Sequence, residues 1–336
     1  MQDLENKLIE VIQQDIPFVE EPFETIAETL GLPVSKTMEL LQDLKQRGII
    51  RQIAPIYDTK SLGYESSLVA FKIDEEDLTN AVNILNEHPG ISHNYLRDDE
   101  FNVWFTIAIP PDSSLGMKRT IDILLRKTKA KKYAVLNTKR VFKISARFVD
   151  NAQERENLNT PKSFKGVLSD EDKLIIKHTQ YDLPITRRPF DGISKKLNMD
   201  VNNLLKKLAE YKEVGIIRRF SGLLHHRNAG FNANGMSVWE VPEDKIEDYG
   251  TLMSSFKAVT HCYERTTNEY WKYNLFCMIH GKTKEDVYDV IELIKNEIGE
   301  DLSYRVLFSL KEFKKVRLRY FEDDYYKWES ENSSFV

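Results

Sequence analysis

Residues 48–53 read GIIRQI, and residues 215–220 read GIIRRF, 167 positions further on. At the same spacing Leu62-Gly63-Tyr64 falls on Ala229-Gly230-Phe231. HNYLR at 93–97 then matches HCYER at 261–265, and FNVWF at 101–105 matches YNLFC at 273–277. The spacing grows from 168 to 172 between these last two pairs, so the second copy carries about four extra residues there. Four pairings in one order make the chain a tandem duplication. The segment 151–169, NAQERENLNTPKSFKGVLS, is polar, holds Pro161 and Gly166, and reads as the linker.

Each copy opens with three short helical patterns. Leu4, Leu8 and Ile12 mark the first stripe, FETIAETLGL at 23–32 the second helix, and Met38, Leu41 and Leu44 a third that ends at Gly48. In the second copy Ser169 and Asp172 suit a capping box, and Leu204, Leu205 and Leu208 line the third helix. A helix-turn-helix followed by a wing is the expected assembly. The rest of copy one alternates strand (66–73), helix (77–88), strands (91–97 and 101–109), helix (114–127) and strand (133–144); copy two repeats it from about 232 to 319. That order is βαββαβ, the ferredoxin-like plan.

The expected fold is therefore α+β, two tandem winged helix-turn-helix and ferredoxin-like pairs. The boundaries are 1–62 and 63–150, the linker 151–169, then 170–230 and 231–320, and an acidic, aromatic tail 321–336 expected to be exposed or packed on a partner.

Composition narrows the function. The 336 residues are 41% hydrophobic and 30% charged, a globular rather than disordered mix. A net charge of -5 argues against a dedicated DNA binder. The third helices agree: Lys36, Lys45 and Arg47 are diluted by Glu39 and Asp43, and the second-copy helix carries Glu210 and Glu213 and no arginine. Cys262 and Cys277 fit no zinc or redox spacing and read as free thiols in a reducing compartment. No HExxH or paired-cysteine motif supplies a resident metal. The amphipathic start MQDLENKL is not a signal peptide, and no apolar run reaches the roughly 20 residues that span a bilayer. A soluble, cytoplasmic protein is expected.

This plan resembles the Lrp/AsnC regulators, and within them the branch of siroheme decarboxylases. GIIRQIAPIYDTKSLGYESSLVAFK and HNYLRDDEFNVWFT are similar to one subunit type of that branch. GIIRRFSGLLHHRNAGFNANGMSVWEV and THCYERTTNEYWKYNLFCMIHG are similar to the other, so the chain resembles the fused form. The resemblance implies a carboxy-lyase that removes two acetate carboxylates of siroheme as carbon dioxide, giving didecarboxysiroheme for haem or haem d1 synthesis. It implies no cofactor beyond the iron tetrapyrrole substrate. It also implies an internal pseudo-dimer, with pairing of two whole chains left open. The alternative is a haem- or tetrapyrrole-responsive regulator of the same family.

The strand faces say which residues would act. With period two, His93, Tyr95 and Arg97 share one face, as do His261, Tyr263 and Arg265. Imidazole, phenol and guanidinium in a row suit a flat polycarboxylate. His93 and His261 are the first candidates to protonate the carbon left by carbon dioxide, with Tyr95 and Tyr263 next. Either histidine is also a candidate contact to the siroheme iron. Arg97 and Arg265 are expected to hold non-reacting carboxylates, because gripping the departing one would stabilise the ground state. From the wings, Arg51, Tyr57, Arg218, Arg219, His226 and Arg227 are candidates to complete an anionic pocket. Trp104 and Lys272 are candidates to wall the macrocycle, against core packing for Trp104. For each histidine the alternative is a solvated or core role.

Overall fold

Gly48 and Gly215 adopt φ values of +66° and +87°, a left-handed conformation that glycine takes without steric cost. The repeated GII sequence is thus the turn from a third helix into a strand. The computed structural model describes residues 2–144, 164–224 and 233–335. Copy one runs α1 (Gln2–Gln13), α2 (Pro22–Leu30), α3 (Val34–Gln46), β1 (Ile50–Tyr57), β2 (Glu65–Lys72), α4 (Glu75–Glu87), β3 (Ile91–Arg97), β4 (Val103–Ile109), α5 (Gly116–Thr128) and β5 (Lys132–Ile144). Copy two runs α6 (Asp170–Thr179), α7 (Asp191–Lys196), α8 (Val201–Val214), β6 (Ile217–Leu224), β7 (Ala233–Trp239), α9 (Ile246–Ser255), β8 (Val259–Arg265), β9 (Leu275–Gly281), α10 (Lys284–Ile298) and β10 (Tyr304–Lys315). A last helix, α11 (Asp323–Asn332), follows. Among the described residues no helix is long and apolar enough to cross a membrane.

The chain forms two compact units. The first gathers Met1–Tyr64, Pro161–Arg227 and Arg319–Asp323, and so holds both helix-turn-helix heads. The capping box at α6 is present: Ser169 and Asp172 satisfy each other's backbone N–H. Leu204, Leu205 and Leu208 are buried. The wings differ from expectation. Each head contributes one strand, and β1 pairs antiparallel with β6. The heads also exchange loops: Ile16 N–H donates to Phe220 O and Leu183 N–H to Ile53 O, both at 2.7 Å. Asp182 Oδ1 accepts from Ile53 N–H at 2.8 Å, and Asp15 Oδ1 from Phe220 N–H at 3.3 Å. A strand with no hairpin partner of its own leaves its backbone groups unpaired, and the other copy satisfies them.

The second unit holds Glu65–Thr160, Asn228–Leu318 and Asp324–Val336. Each copy's four strands form an antiparallel sheet, β3-β4-β2-β5 and β8-β9-β7-β10. The edges join, β5 to β8 and β10 to β3, so eight strands close into a barrel. Closure leaves none of these eight strands as an edge. Two apolar cores lie between the sheets and their helices: one includes Val69, Leu85, Phe105 and Ile121, the other Trp239, Phe256, Leu275 and Ile291. A third lines the barrel interior and includes Ala70, Trp104, Leu136, Val238, Trp271 and Phe276.

The acidic tail is not a wholly exposed segment: Phe321, Tyr325 and Glu329 are buried, and Tyr326 and Trp328 partly so. Tyr325 joins the copy-one core. The Glu329 carboxylate, 4% exposed, accepts from Ser114 N–H at 3.1 Å, Ser114 Oγ at 3.0 Å, Leu115 N–H at 3.4 Å and Ser113 Oγ. These groups lead into α5, whose N-terminal N–H groups favour a negative charge. Upstream, Tyr320 is clamped within the first unit, its N–H donating to Gln180 Oε1 at 2.7 Å and its O accepting from Gln180 Nε2 at 3.0 Å.

Candidate active site

Strands β3 and β8 turn the repeated motif into a repeated surface. The His93 and Tyr95 rings stack 6.3 Å apart, and His261 and Tyr263 stack 6.1 Å apart. The guanidinium carbons of Arg97 and Arg265 lie 5.5 and 4.8 Å from the Tyr95 and Tyr263 centroids. Each triplet therefore shares one face, although a bulge interrupts each strand's register just before its histidine. Asn102 and Asn274 pin the start of β4 and β9: their side chains bracket the backbone N–H and O of Ile73 and Val241 at 2.7–2.9 Å.

Both guanidiniums are buried, and among the described residues neither has a carboxylate partner. Arg97 Nη1 donates to Leu307 O at 2.7 Å, and Arg265 Nη1 to Leu136 O at 3.1 Å and Thr138 Oγ1 at 2.9 Å. The Nε atom of each is buried without a hydrogen-bond partner. Burial pulls each guanidinium down to about 10, so both stay charged at neutral pH. In this structure the arginines hold carbonyls across the barrel. What they supply is an uncompensated positive field beneath Tyr95 and Tyr263. Burial, and secondarily the Glu312 carboxylate, pushes the Tyr95 phenol up to about 12, which keeps it protonated.

The imidazoles stand above that field, half-buried. His93 Nδ1 lies 2.9 Å from Ser92 Oγ, and His261 Nδ1 lies 2.9 Å from Thr260 Oγ1. Thr260 donates its hydroxyl hydrogen to Met278 O at 3.3 Å, so it accepts from His261 Nδ1–H. The neutral ring then carries its lone pair on Nε2. His261 is held down at about 4 by burial, then by the charges of His93, Lys143 and Arg265. A third imidazole, His280 of β9, joins the cluster. Its Nδ1 lies 2.5 Å from Asn234 Oδ1, and burial followed by His261 and Lys315 holds it down at about 4. Sequence reasoning missed His280 because Ala108 occupies its place in copy one. Extending the period-two reading of YNLFCMIH would have found it, since Phe276, Met278 and His280 share one face.

A barrel lined with cations and imidazoles, carried on duplicated Lrp-like domains, agrees with the comparisons. The AsnC-like ligand binding domain model matches residues 61–143 and 228–314, and the siroheme decarboxylase NirDL-like helix-turn-helix model matches 5–51 and 172–218. The siroheme decarboxylase of Hydrogenobacter thermophilus is 43% identical over 324 residues, 96% of each chain. This chain belongs to the siroheme decarboxylase family. A crystal structure of the siroheme decarboxylase NirDL with an iron-uroporphyrin III analogue is similar at TM-score 0.81 and 40% identity, covering 98% of both chains. The siroheme decarboxylase beta subunit of Methanosarcina barkeri is 40% identical over 148 residues, which is 44% of this chain and 97% of that subunit. The fused form in this family therefore corresponds to the resemblance read from the two long motif blocks.

In this member of the siroheme decarboxylase family the wing candidates Arg51, Tyr57, Arg218 and Arg219 belong to the first unit. Tyr57 is buried in the first unit, with its hydroxyl 2.5 Å from Thr179 Oγ1 and its ring edge-on to Tyr320. Arg218 is committed to Asp58, its Nε donating at 2.9 Å. Arg51 and Arg219 flank the β1–β6 ribbon of the same unit, exposed and half-buried. His226 and Arg227 lie outside the described residues. Trp104 is a core residue: it is 1% exposed, its Nε1–H donates to Phe101 O at 2.5 Å, and its ring meets Trp271 edge-on at 5.0 Å. Lys272 is paired with Glu240 at 2.5 Å, both exposed, and does not wall the interior. The inserted segment contributes Trp271 to the barrel core instead, 2% exposed.

Proposed function

We propose that this chain is a carboxy-lyase that binds siroheme against the inward faces of β3 and β8 and removes two of its acetate carboxylates. The observation that supports this reading is the pair of buried guanidiniums without counter-ions among the described residues, each under a tyrosine and a histidine, in one barrel. A buried cation is costly unless an anion offsets it, and a macrocycle bearing many carboxylates supplies that charge.

In this reading the bond between acetate methylene and carboxyl carbon breaks and carbon dioxide leaves. The electron pair stays on the methylene carbon, shared with the conjugated ring, until a proton reaches it. Tyr95, its phenol pushed up to about 12, is a proton-bearing group at rest. His261 is neutral with its lone pair on Nε2, so it serves as acceptor or iron contact first and as donor only after protonation. Carboxylates of the ligand raise the imidazole pKa and favour that protonation. The substrate brings the metal, and no further cofactor is invoked. The setting is a reducing cytoplasm, where Cys262 and Cys277 remain thiols.

Recognition of DNA fits less well. Near the end of α3, Lys45 is tied to Asp182 and Arg47 to Glu5 and Asp43, and on α8 Lys212 is tied to Asp15. The test is anaerobic incubation with siroheme followed by mass analysis of the pigment. Loss of two carbon dioxide units is expected; unchanged pigment, together with a salt-sensitive shift on a defined operator, would favour the regulator.

A further inference from the structure

Each histidine-bearing strand is entered through a tight turn. His88-Pro89-Gly90-Ile91 leads into β3, and Phe256-Lys257-Ala258-Val259 leads into β8. Both turns close the same way: Ile91 N–H donates to His88 O and Val259 N–H to Phe256 O, each at 3.1 Å. The accepting residue in each case ends the preceding helix, α4 or α9. A carbonyl oxygen carries two lone pairs, and in both turns a lysine from the other copy donates to the same oxygen. Lys314 of β10 donates to His88 O at 3.1 Å and to Asn86 O at 2.6 Å, and Lys143 of β5 donates to Phe256 O at 2.8 Å. Lys143 is 2% exposed and Lys314 is half-buried. The carbonyl end of a helix favours a cation.

The two lysines occupy equivalent register positions. Lys314 pairs with Asn94 and Lys143 with Cys262, while the next residues, Lys315 and Ile144, pair with His93 and His261. Alternation sends each lysine to the helix side of the sheet and its neighbour to the barrel side. The tie falls where the register is irregular: β3 shifts against β4 between Ile91 and His93, and β8 shifts against β9 between Val259 and His261. A bulge re-aims the side chain beside it, so a turn that is held fast fixes where the histidine points.

We infer that Lys143 and Lys314 are positioning residues that act across the duplication, Lys143 of copy one setting the aim of His261 and Lys314 of copy two that of His93. The catalytic consequence rests on the reading of the barrel interior as the substrate site. Neither ammonium touches a reacting atom. Without it the turn loses a charged donor and the bulge is free to move. A slip by one residue would carry the imidazole from the barrel side to the helix side. Each copy's histidine strand is thus completed by the other copy's last strand.

The test is a set of crossed double-variant cycles in the full-length protein. Lys143→Met and Lys314→Met nearly keep the side-chain length and remove the ammonium; Lys143→Gln and Lys314→Gln, which keep an N–H donor, take their place if the methionine variants do not fold. Each is expected to lower the anaerobic single-turnover rate with siroheme by roughly tenfold and to change its affinity by less than about threefold. Added to His261→Ala, the Lys143 change should lower the rate less than about twofold further, and added to His93→Ala again about tenfold; the Lys314 change should do the converse. Equal lysine effects in both histidine backgrounds overturn the positioning role, as does lost stability in urea with an unchanged rate per folded molecule. A second readout needs no substrate. In protein carrying isotope-labelled histidine, Lys143→Met should move the imidazole signals of His261 and leave those of His93, and Lys314→Met should do the reverse. Signals that do not follow this crossing overturn the inference. Crossed signals with full turnover in every lysine and histidine variant would uphold the pinning and place the failure in the reading of the barrel as the substrate site.

Discussion

Arg97 and Arg265 are charged, 5% and 9% exposed, and each leaves Nε unpaired. In the proposed reading their charge serves the ligand. Replacing a buried ion with an apolar side chain of similar volume is often neutral or stabilising by about 1 kcal/mol or more. Arg97→Met and Arg265→Met are thus expected to unfold in urea at the same or slightly higher concentration than the parent. Anaerobic titration with siroheme should show affinity weakened by roughly tenfold or more. A marked loss of stability with undiminished binding would make these arginines structural. The alternation of HNYLR and HCYER made the shared face legible in the sequence. What the arginines hold was not legible, because Leu307 and Leu136 lie on strands distant in sequence. His280 escaped for a different reason: comparing copies finds what was kept twice, not what one copy acquired.

At the scale of elements, α11 shows what a composition reading misses. An acidic, aromatic stretch looks like a solvated tail, but Tyr325, Trp328 and Glu329 pack it onto copy one. His88, at the end of α4, is fully buried beneath Trp328, ring centroids 4.1 Å apart, and accepts from Gly90 N–H at 3.0 Å. Burial, then the nearby Lys314 charge, holds His88 down at about 3. The unfolded chain takes up this proton near the ordinary pKa of about 6.5, the native chain only near 3. The stabilisation is therefore complete above that upper value and is lost as pH falls toward the lower one. His88→Leu should flatten the fall in unfolding free energy between neutral pH and about pH 4.5, measured by urea unfolding. An unchanged slope would mean that His88 is already protonated in the fold. The other elements were largely legible, since periods of 3.6 and 2, Gly48, Gly215 and the Ser169–Asp172 box are local signals.

For the whole molecule, the duplication was written in the sequence, but closure was not. Nothing local in β5 or β10 announces that each crosses to the other copy's sheet, nor that β1 would find β6. Closure has a consequence for folding: copy one alone would expose β3 and β5 as unpaired edges. Residues 1–150 expressed alone should aggregate or self-associate, while co-expression with residues 164–336 should give a complex that co-purifies. A monodisperse, monomeric first half in light scattering would contradict the interdependence. The most direct test of the central claim, that facing imidazole faces in this barrel form the siroheme site, is a His93→Ala, His261→Ala double variant. It should be compared with the parent by single-turnover assay under anaerobic conditions, with circular dichroism confirming the fold. Turnover to the doubly decarboxylated product is expected in the parent and lost in the variant; full turnover by the folded variant would place the chemistry elsewhere.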